Sequence, residues 1–226
     1  MKHVSMIALP LALALMIVAG CGKKEEPKTE AAPAPAEWVI LFDGSNLDAW
    51  QMEKPEGWAV EDSAMALKKG GYIWTKEKFG NFVLEAEFKI TKDCNSGIFF
   101  RTGDLKDPVQ TGMEMQVYDA PQKPKPVKND CGALYDLVAP SSYAMKPVGE
   151  WNRTVITCRD SLVTIDLNGV NVVTADLSQW TTPHKNPDGT ENKFNAALKD
   201  FPREGYIGFQ DHGFPLWYRN VRIKKL

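Results

Sequence analysis

From residue 37 onward the sequence predicts an all-β domain of the sandwich or jelly-roll type, and three observations support this fold class. Apolar and polar residues alternate strictly in FVLEAEFKI (82–90), which gives a strand one buried and one exposed face. Asn168-Gly169 separates two apolar runs, a pattern typical of a type I′ hairpin turn. No long window keeps a helical period, and 191–201 allows at most a short helix. Short strands divided by turn residues therefore favour a β-sandwich.

Further apolar or alternating runs predict the other strands. They are 38–42, 63–68, 72–75, 97–101, 112–118, 151–158, 205–210 and 216–223. Two segments between strands, 119–130 and 178–195, are long and lack strand character. Long loops in a compact β domain often carry function, although they can also be merely mobile.

The chain begins with features of an export signal. A short basic start precedes an apolar run that is too short and too asymmetric to be a membrane-spanning helix. The run ends in Val18-Ala19-Gly20-Cys21, and small residues before a cysteine resemble a bacterial lipobox. Cys21 is therefore the expected lipidation site and membrane anchor, with an ordinary cleaved signal as the alternative.

The rest of the chain divides into a tether and one domain. Residues 22–36 contain no large apolar side chain and cannot bury enough surface to offset the entropy of ordering. We thus expect a lipoprotein signal peptide (1–21), a flexible tether (22–36) and a single jelly-roll domain (37–226). This organisation predicts an exported lipoprotein of the periplasm or outer membrane of a bacterium.

Composition excludes some partners and leaves the cysteines open. The formal net charge is −2 and the pI about 6.0, so nothing favours nucleic acid or an anionic membrane surface. Cys158 lies in a strand-like run and is expected to be buried and inert. Cys94 and Cys131 lie near loops, and whether they pair stays open at this point. No CxxC spacing indicates a zinc site.

The segment GMEMQVYDA (112–120) carries the most suggestive polar pattern. Glu114, Gln116 and Tyr118 alternate with apolar residues, so an acid, an amide and a phenol share one strand face. Such a face suits sugar hydroxyls, and an ordinary solvent-exposed face is the alternative. The spacing also resembles the ExDxxE strand of laminarinase-type glucanases, with Asp119 in the last position. However, Gln116 replaces the middle acid, and Asp119 would need a bulge to reach the same face.

Two other segments offer candidate site residues. In NSGIFFR (95–101), strand alternation places Arg101 on the face of Gly97, where its guanidinium could bind a carbonyl or hydroxyl pair, or instead pair with Glu114. In QDHG (210–213), His212 continues the face of Gln210 if the strand extends that far. A polar turn is the alternative.

The order of motifs along 37–226 resembles the 3-keto-disaccharide hydrolase family. The motifs are LFDGSNLDAW (41–50), W-x-V-E-D (58–62), NSGIFFR (95–101), MEMQVYD (113–119), GALYDLVAP (132–140), KPVGEWN (146–152), LNG (167–169), GFQDHG (208–213) and YRNVRIKKL (218–226). The resemblance implies a concanavalin A-like jelly roll, commonly behind a signal or lipobox. It also implies cleavage of glycosides already oxidised to a ketone at C3. The family pattern Y-E-V-Q reads MEMQ here, a change confined to core-facing positions.

A 3-keto group permits a mechanism without an oxocarbenium ion. The ketone makes the C2 hydrogen acidic, because the carbanion is an enolate, and the glycosidic oxygen can then leave C1 by β-elimination before water adds. The site needs a base near C2, donors at the C3 oxygen and an acid for the departing oxygen. The chain carries no serine elbow, P-loop or HExxH motif, which agrees with activation by the substrate itself.

The candidate roles follow from these needs. We expect Glu114 or His212 to be the base, Arg101 or Lys146 to stabilise the enolate, and Tyr135 to donate a proton. Residues expected to bind substrate hydroxyls are Gln116, Asp119, Gln210 and Asp211. No cofactor is firmly predicted, and a divalent cation at Asp119 or Asp211 is the open alternative, since isolated carboxylates give no coordination spacing.

Two rival functions remain. A lectin-like carbohydrate-binding protein would use tryptophans such as Trp74, Trp151 and Trp217 as stacking platforms. Such modules are usually appended to a catalytic domain, which modestly favours an enzyme here. A conventional laminarinase-type glucanase is the third alternative, and the missing second carboxylate argues against it.

Overall fold

Two antiparallel sheets pack against each other in the computed structural model, which describes residues 37–226. The strands are β1 (Trp38–Phe42), β2 (Trp50–Met52), β3 (Trp58–Glu61), β4 (Ala64–Leu67), β5 (Ile73–Thr75), β6 (Phe82–Ile90), β7 (Asn95–Thr102), β8 (Met113–Tyr118), β9 (Asn152–Arg159), β10 (Leu162–Leu167), β11 (Val170–Asp176), β12 (Tyr206–Phe209) and β13 (Leu216–Lys225). A single-turn helix α1 (Pro108–Thr111) and two 3-10 turns, Leu177–Gln179 and Leu198–Asp200, complete the elements.

The topology confirms the all-β sandwich predicted from sequence. The large sheet has the order β11-β10-β9-β6-β13-β4-β3, with β1 also paired to β13. The small sheet has the order β2-β5-β12-β7-β8. Neighbours in space are mostly distant in the chain, as expected where strands cross between two sheets.

The core lies between the sheets and is built by period-two alternation. On β6 every second side chain from Phe82 to Ile90 is buried. On β8 the apolar residues Met113, Met115 and Val117 enter the same core, where Met115 Sδ accepts a hydrogen bond from Thr154 Oγ1 at 3.1 Å. The intervening residues of β8 are thereby turned to the outer face of the small sheet.

The structure also differs from the sequence-based expectations in local elements. Strands β2 and β3 and helix α1 were not predicted, because each has only three or four residues and no periodicity to detect. Within 191–201 only the 3-10 turn Leu198–Asp200 forms. All three cysteines of the described domain are buried and unpaired, so Cys94 and Cys131 form no disulfide.

Residues 1–36, with the signal, the tether and Cys21, lie outside the described part of the chain. Among residues 37–226, no helix is long and apolar enough to cross a membrane.

Close packing on the outer face of the small sheet predicts a specific stability effect. The ring of Trp74 covers Gly208, and a Cβ at Gly208 would lie 2.2 Å from Trp74 Cε3. We expect Gly208→Ala to lower the free energy of unfolding by about 1–3 kcal/mol through overpacking. Gly103→Ala is the matched control, because its nearest neighbours would lie 3.7 Å away. Urea denaturation followed by tryptophan fluorescence measures both, and equal stabilities would contradict this packing.

Candidate functional site

A polar cavity of about 230 Å³ opens on the outer face of the small sheet. Strands β7 and β8 supply its floor, and helix α1 and several loops supply its walls and rim. The lining residues are Asn95, Val109, Glu114, Gln116, Tyr135, Lys193, Gln210 and His212. The cavity therefore collects side chains from six separate parts of the sequence.

A larger cavity, of about 370 Å³, lies on the outer face of the large sheet, but its charges are already satisfied. There Glu85 pairs with Arg153 at 2.8 Å and with Arg222 at 2.7 Å. These pairs bridge neighbouring strands, so the Glu85 carboxylate is held by two guanidinium groups and is not free for chemistry. We therefore place the candidate site in the smaller cavity.

Glu114 is the buried acid of the site, and a glycine makes its position available. Phe99 is paired with Glu114 and Gly97 with Gln116 in the antiparallel register of β7 and β8. The Glu114 carboxylate folds over Gly97, where an added Cβ would lie 2.1 Å from Oε1. Only 5 % of Glu114 is exposed. A side chain at residue 97 would displace the carboxylate from the cavity floor.

Lys193 is the cation of the site and comes from the long segment 178–195. Its Nζ lies 3.8 Å from Glu114 Oε2, an ion pair beyond hydrogen-bond length, and 4.3 Å from the ring centroid of Tyr135. Among the described residues, Nζ makes no hydrogen bond, and the Glu114 carboxylate accepts none. Both charged groups therefore keep their hydrogen-bonding capacity for a ligand.

Burial shifts the pKa values of Glu114 and Lys193 in the directions that favour their neutral forms. It raises the pKa of Glu114 to about 7, and the charge of Lys193 opposes that rise. It also lowers the pKa of the Lys193 ammonium, against the attraction of Glu114 and Asp136. The pKa of Tyr135 is raised, first by burial and then by the charge of Glu114. A carboxylate with a pKa near neutral pH is suited to exchange protons with a substrate.

The remaining expected residues of the cavity are held by the sheet and the turn after β12. Gln116 Nε2 donates to Asn95 Oδ1 at 2.9 Å. Gln210 donates its backbone N–H to Gly97 O at 3.0 Å and is buried, with no hydrogen-bond partner for its Oε1. Strand β12 ends at Phe209, so His212 lies in the turn instead of continuing the strand, and it is exposed at the rim. Amide groups and an imidazole thus surround the charged pair.

Arg101 does not reach the cavity, which corrects the expectation for this residue. The register of β7 and β12 shifts between Tyr206 and Gly208, and Arg101 has a φ of 53°. This bulge turns the side chain away from the face of Gly97. Its guanidinium donates to Gly80 O at 3.0 Å, Asp160 O at 2.7 Å and Asn81 Oδ1 at 3.0 Å. Arg101 therefore ties together loops and does not pair with Glu114.

Lys146, Asp119 and Asp211 are likewise placed elsewhere. Lys146 is exposed, and its Nζ donates to Trp151 O at 3.1 Å. The pairing of β7 and β8 runs without a bulge to its end at Tyr118, so Asp119 does not join the strand face of Glu114. Its Oδ2 instead accepts the N–H of Asp93 at 2.9 Å.

The carboxylate of Asp211 joins two turns instead of lining the cavity. Its oxygens accept the N–H groups of Gly71 and Gly213, each at 2.7 Å. Asp119 Oδ2 and both Asp211 oxygens thus accept backbone N–H groups, and neither carboxylate is among the lining residues of the cavity. Within residues 37–226 no three His, Cys, Asp or Glu side chains converge as a metal site would require.

Sequence reasoning missed three lining residues: Asn95, Val109 and Lys193. Asn95 begins the motif NSGIFFR, from which only Arg101 was expected in the site, and Val109 carries no distinctive pattern. Lys193 belongs to a segment whose length was the one available signal, since long loops in compact β domains often contribute to sites. Its position in the cavity depends on how that loop folds over β8, which no local pattern encodes.

The family match and the relatives given below place this β-sandwich in the glycoside hydrolase-like class of proteins. The chain belongs to the 3-keto-alpha-glucoside-1,2-lyase-like domain family, whose profile matches residues 37–224. It is 29% identical over 243 residues to a 3-keto-disaccharide hydrolase of Bacteroides thetaiotaomicron, covering 90% of this chain and 84% of that protein.

Two solved structures from Parabacteroides distasonis, each assigned provisionally as a glycosyl hydrolase, share the fold. The first is 34% identical with a TM-score of 0.77, and the match covers 84% of this chain and 100% of that chain. The second is 26% identical with a TM-score of 0.68, over 84% of this chain and 94% of that chain.

Because Arg101 lies outside the cavity, we expect its substitution to lower the stability of the domain without lowering its activity. Arg101→Met removes the three hydrogen bonds that the buried Arg101 guanidinium donates, so we expect a loss of about 2–4 kcal/mol in the free energy of unfolding. The activity per folded molecule should change less than twofold, because the side chain does not contact the cavity. Chemical denaturation and steady-state kinetics at low temperature check the two quantities. A selective rise in KM would return Arg101 to the binding site.

Proposed function

We propose that this protein cleaves the glycosidic bond of 3-keto-glycosides by β-elimination across C1–C2 followed by hydration, with Glu114 as the base. The observation that carries the proposal is the single carboxylate of the cavity. Glu114 is the one acidic side chain among its lining residues. Proton abstraction from carbon needs one base of suitable pKa, and the pKa of Glu114 is raised to about 7.

A conventional glycosidase mechanism lacks support in this geometry. Retaining and inverting enzymes use a pair of carboxyl groups on either side of the scissile bond. Asp119, the candidate for the second acid, is bound to the backbone N–H of Asp93 and is not part of the cavity lining. The laminarinase-type alternative is therefore not supported.

The proposed steps assign each proton to a position in the cavity. Glu114 takes the C2 proton, and the electron pair of that C–H bond forms the enolate at the C3 oxygen. The enolate then restores the C3 carbonyl while a C1–C2 double bond forms and the C1–O bond breaks. The departing oxygen takes a proton, for which Tyr135 and His212 are the candidate donors of the lining. Water addition to the resulting enone gives the 3-keto sugar.

The lectin-like alternative is weakened by where the tryptophans lie. Trp74 is only 2% exposed and packs against Tyr72 and Phe99. Trp151 and Trp217 flank Lys89, whose Nζ lies 5.0 Å and 4.6 Å from their ring centroids. None of the three lines the cavity. A sugar would thus meet amides and charged groups there instead of an indole platform.

The substrate requirement is tested with a matched pair of glucosides. We expect the protein to cleave a 3-keto-glucoside and to leave the parent glucoside intact, because only the ketone acidifies C2–H. Glu114→Gln, which keeps the volume but removes the base, should lower kcat by at least about 10²-fold. Product analysis by NMR measures both. Turnover of the parent sugar would indicate an ordinary glycosidase, and binding without turnover would indicate a lectin.

The pKa of Glu114 predicts the pH dependence of cleavage. The base acts only when ionised, so kcat/KM should rise with pH through about 7, well above the range of an ordinary glutamate. Rates in buffers from pH 5 to 9 check this. A profile that is already flat above about pH 5 would contradict the assignment of Glu114 as the base.

A further inference from the structure

The proposed mechanism needs a positive group at the C3 oxygen, and neither cation expected from the sequence lies in the cavity. Arg101 is bound to Gly80, Asp160 and Asn81, and Lys146 is at the surface. Negative charge that develops on an enolate oxygen inside a low-dielectric site requires an oriented donor. Another residue must therefore supply the donor at the C3 oxygen, and the sequence motifs do not identify it.

We propose that Lys193 is a catalytic residue that donates to the C3 carbonyl oxygen of the substrate and stabilises the enolate. This inference rests on the proposed function. Its Nζ is the one ammonium among the lining residues of the cavity. Since Nζ lies 3.8 Å from Glu114 Oε2, one six-membered ring can present C2–H to the carboxylate and the adjacent C3 oxygen to the ammonium.

The surroundings of Lys193 leave its donors free. Besides Glu114, its nearest partners are the ring faces of Tyr135 and Phe194, whose centroids lie 4.3 Å and 5.3 Å from Nζ. These faces attract a cation but accept no strong hydrogen bond. The ammonium is thus held in place by π faces and one carboxylate, and a carbonyl oxygen would satisfy it.

The loop that carries Lys193 is fixed at its backbone. The backbone N–H of Lys193 donates to Asp136 Oδ2 at 2.6 Å, and the Lys193 carbonyl accepts from Gln110 Nε2 at 2.9 Å. The same Gln110 amide accepts the N–H of Asn195 at 2.9 Å. Asp136 follows Tyr135 in the chain, so this hydrogen bond ties the backbone of Lys193 to the turn that carries Tyr135. Such preorganisation is what makes a donor effective at a developing oxyanion.

The atoms and electrons of the step balance with these two residues. Glu114 receives the C2 proton, the C2–H electron pair moves to the C3 oxygen, and the Lys193 N–H⁺ hydrogen bond strengthens as that oxygen becomes negative. Elimination returns the electrons towards C1 and frees the lysine. Lys193 keeps its own protons throughout and needs no co-reactant.

The test measures enolate formation separately from bond cleavage. A 3-keto-1,5-anhydroglucitol has the ketone and the C2 hydrogen but no glycosidic leaving group on C1, so exchange of its C2 hydrogen in D₂O reports enolate formation without glycosidic cleavage. We expect Lys193→Met in the full chain to lower both this exchange and the cleavage of a 3-keto-glucoside by about 10²–10³-fold. Lys185→Met is the matched control, since Lys185 is an exposed lysine of the same loop, and it should behave as wild type.

A pH profile distinguishes direct stabilisation from an effect through Glu114. The titratable groups around the Glu114 carboxylate are Lys193, Tyr135, His212, Tyr72 and Tyr218. Loss of the ammonium would raise the pKa of Glu114 further and move the rising limb to higher pH. We expect the deficit of Lys193→Met to persist above that limb. Recovery to the wild-type rate there would make Lys193 a positioning residue and overturn the proposal.

The other outcomes are also decisive. Exchange that is retained while cleavage is lost would assign Lys193 to the departing oxygen and overturn the enolate role. If wild type neither exchanges nor cleaves, the proposed function fails, whereas normal catalysis by Lys193→Met refutes this inference alone. Should Lys193→Met not fold, Asp136→Asn provides the second test. It weakens the anchor of the loop, and we expect a lower exchange rate with little change in KM.

Discussion

The packing of two sheets through alternating side chains is the constraint on which this molecule depends. Each apolar residue of β8 that enters the core fixes the direction of its polar neighbours, because successive side chains of a strand point to opposite faces. Met113 and Met115 are buried, and Glu114 between them must therefore lie on the outer face. The chemistry of the site is in this sense a consequence of core formation, and a shift of one residue in register would bury the acid in the sandwich.

Much of this arrangement could be predicted from the sequence, since it rests on period-two patterns. The alternation in β6 and β8, the Asn-Gly hairpin and the motif order led to the fold and to Glu114, Gln116 and Gln210. Predictions failed where geometry depends on a single backbone irregularity. The bulge at Arg101, with its φ of 53°, reverses one side chain, and no pattern in NSGIFFR reveals it.

Lys193 illustrates a second limit of sequence reasoning. Its position depends on the fold of the segment 178–195, in which buried Asn186 accepts from Trp180 Nε1 at 2.7 Å and donates to Glu191 O at 3.0 Å. These contacts are specific to one loop conformation and follow no repeat. The charge that complements Glu114 thus comes from the part of the domain with the least regular structure.

The backbone contacts around Asp136 have a consequence for how the domain loses its structure. The loop of Lys193 is joined to α1 through Gln110 and to the turn that carries Tyr135 through Asp136, instead of by sheet hydrogen bonds. Such connections open at lower free energy than the strands of a core. Partial opening would separate the Lys193 ammonium from the Glu114 carboxylate while both sheets stay intact. Catalytic activity is therefore a more sensitive measure of the native state than the β-sheet content of the domain.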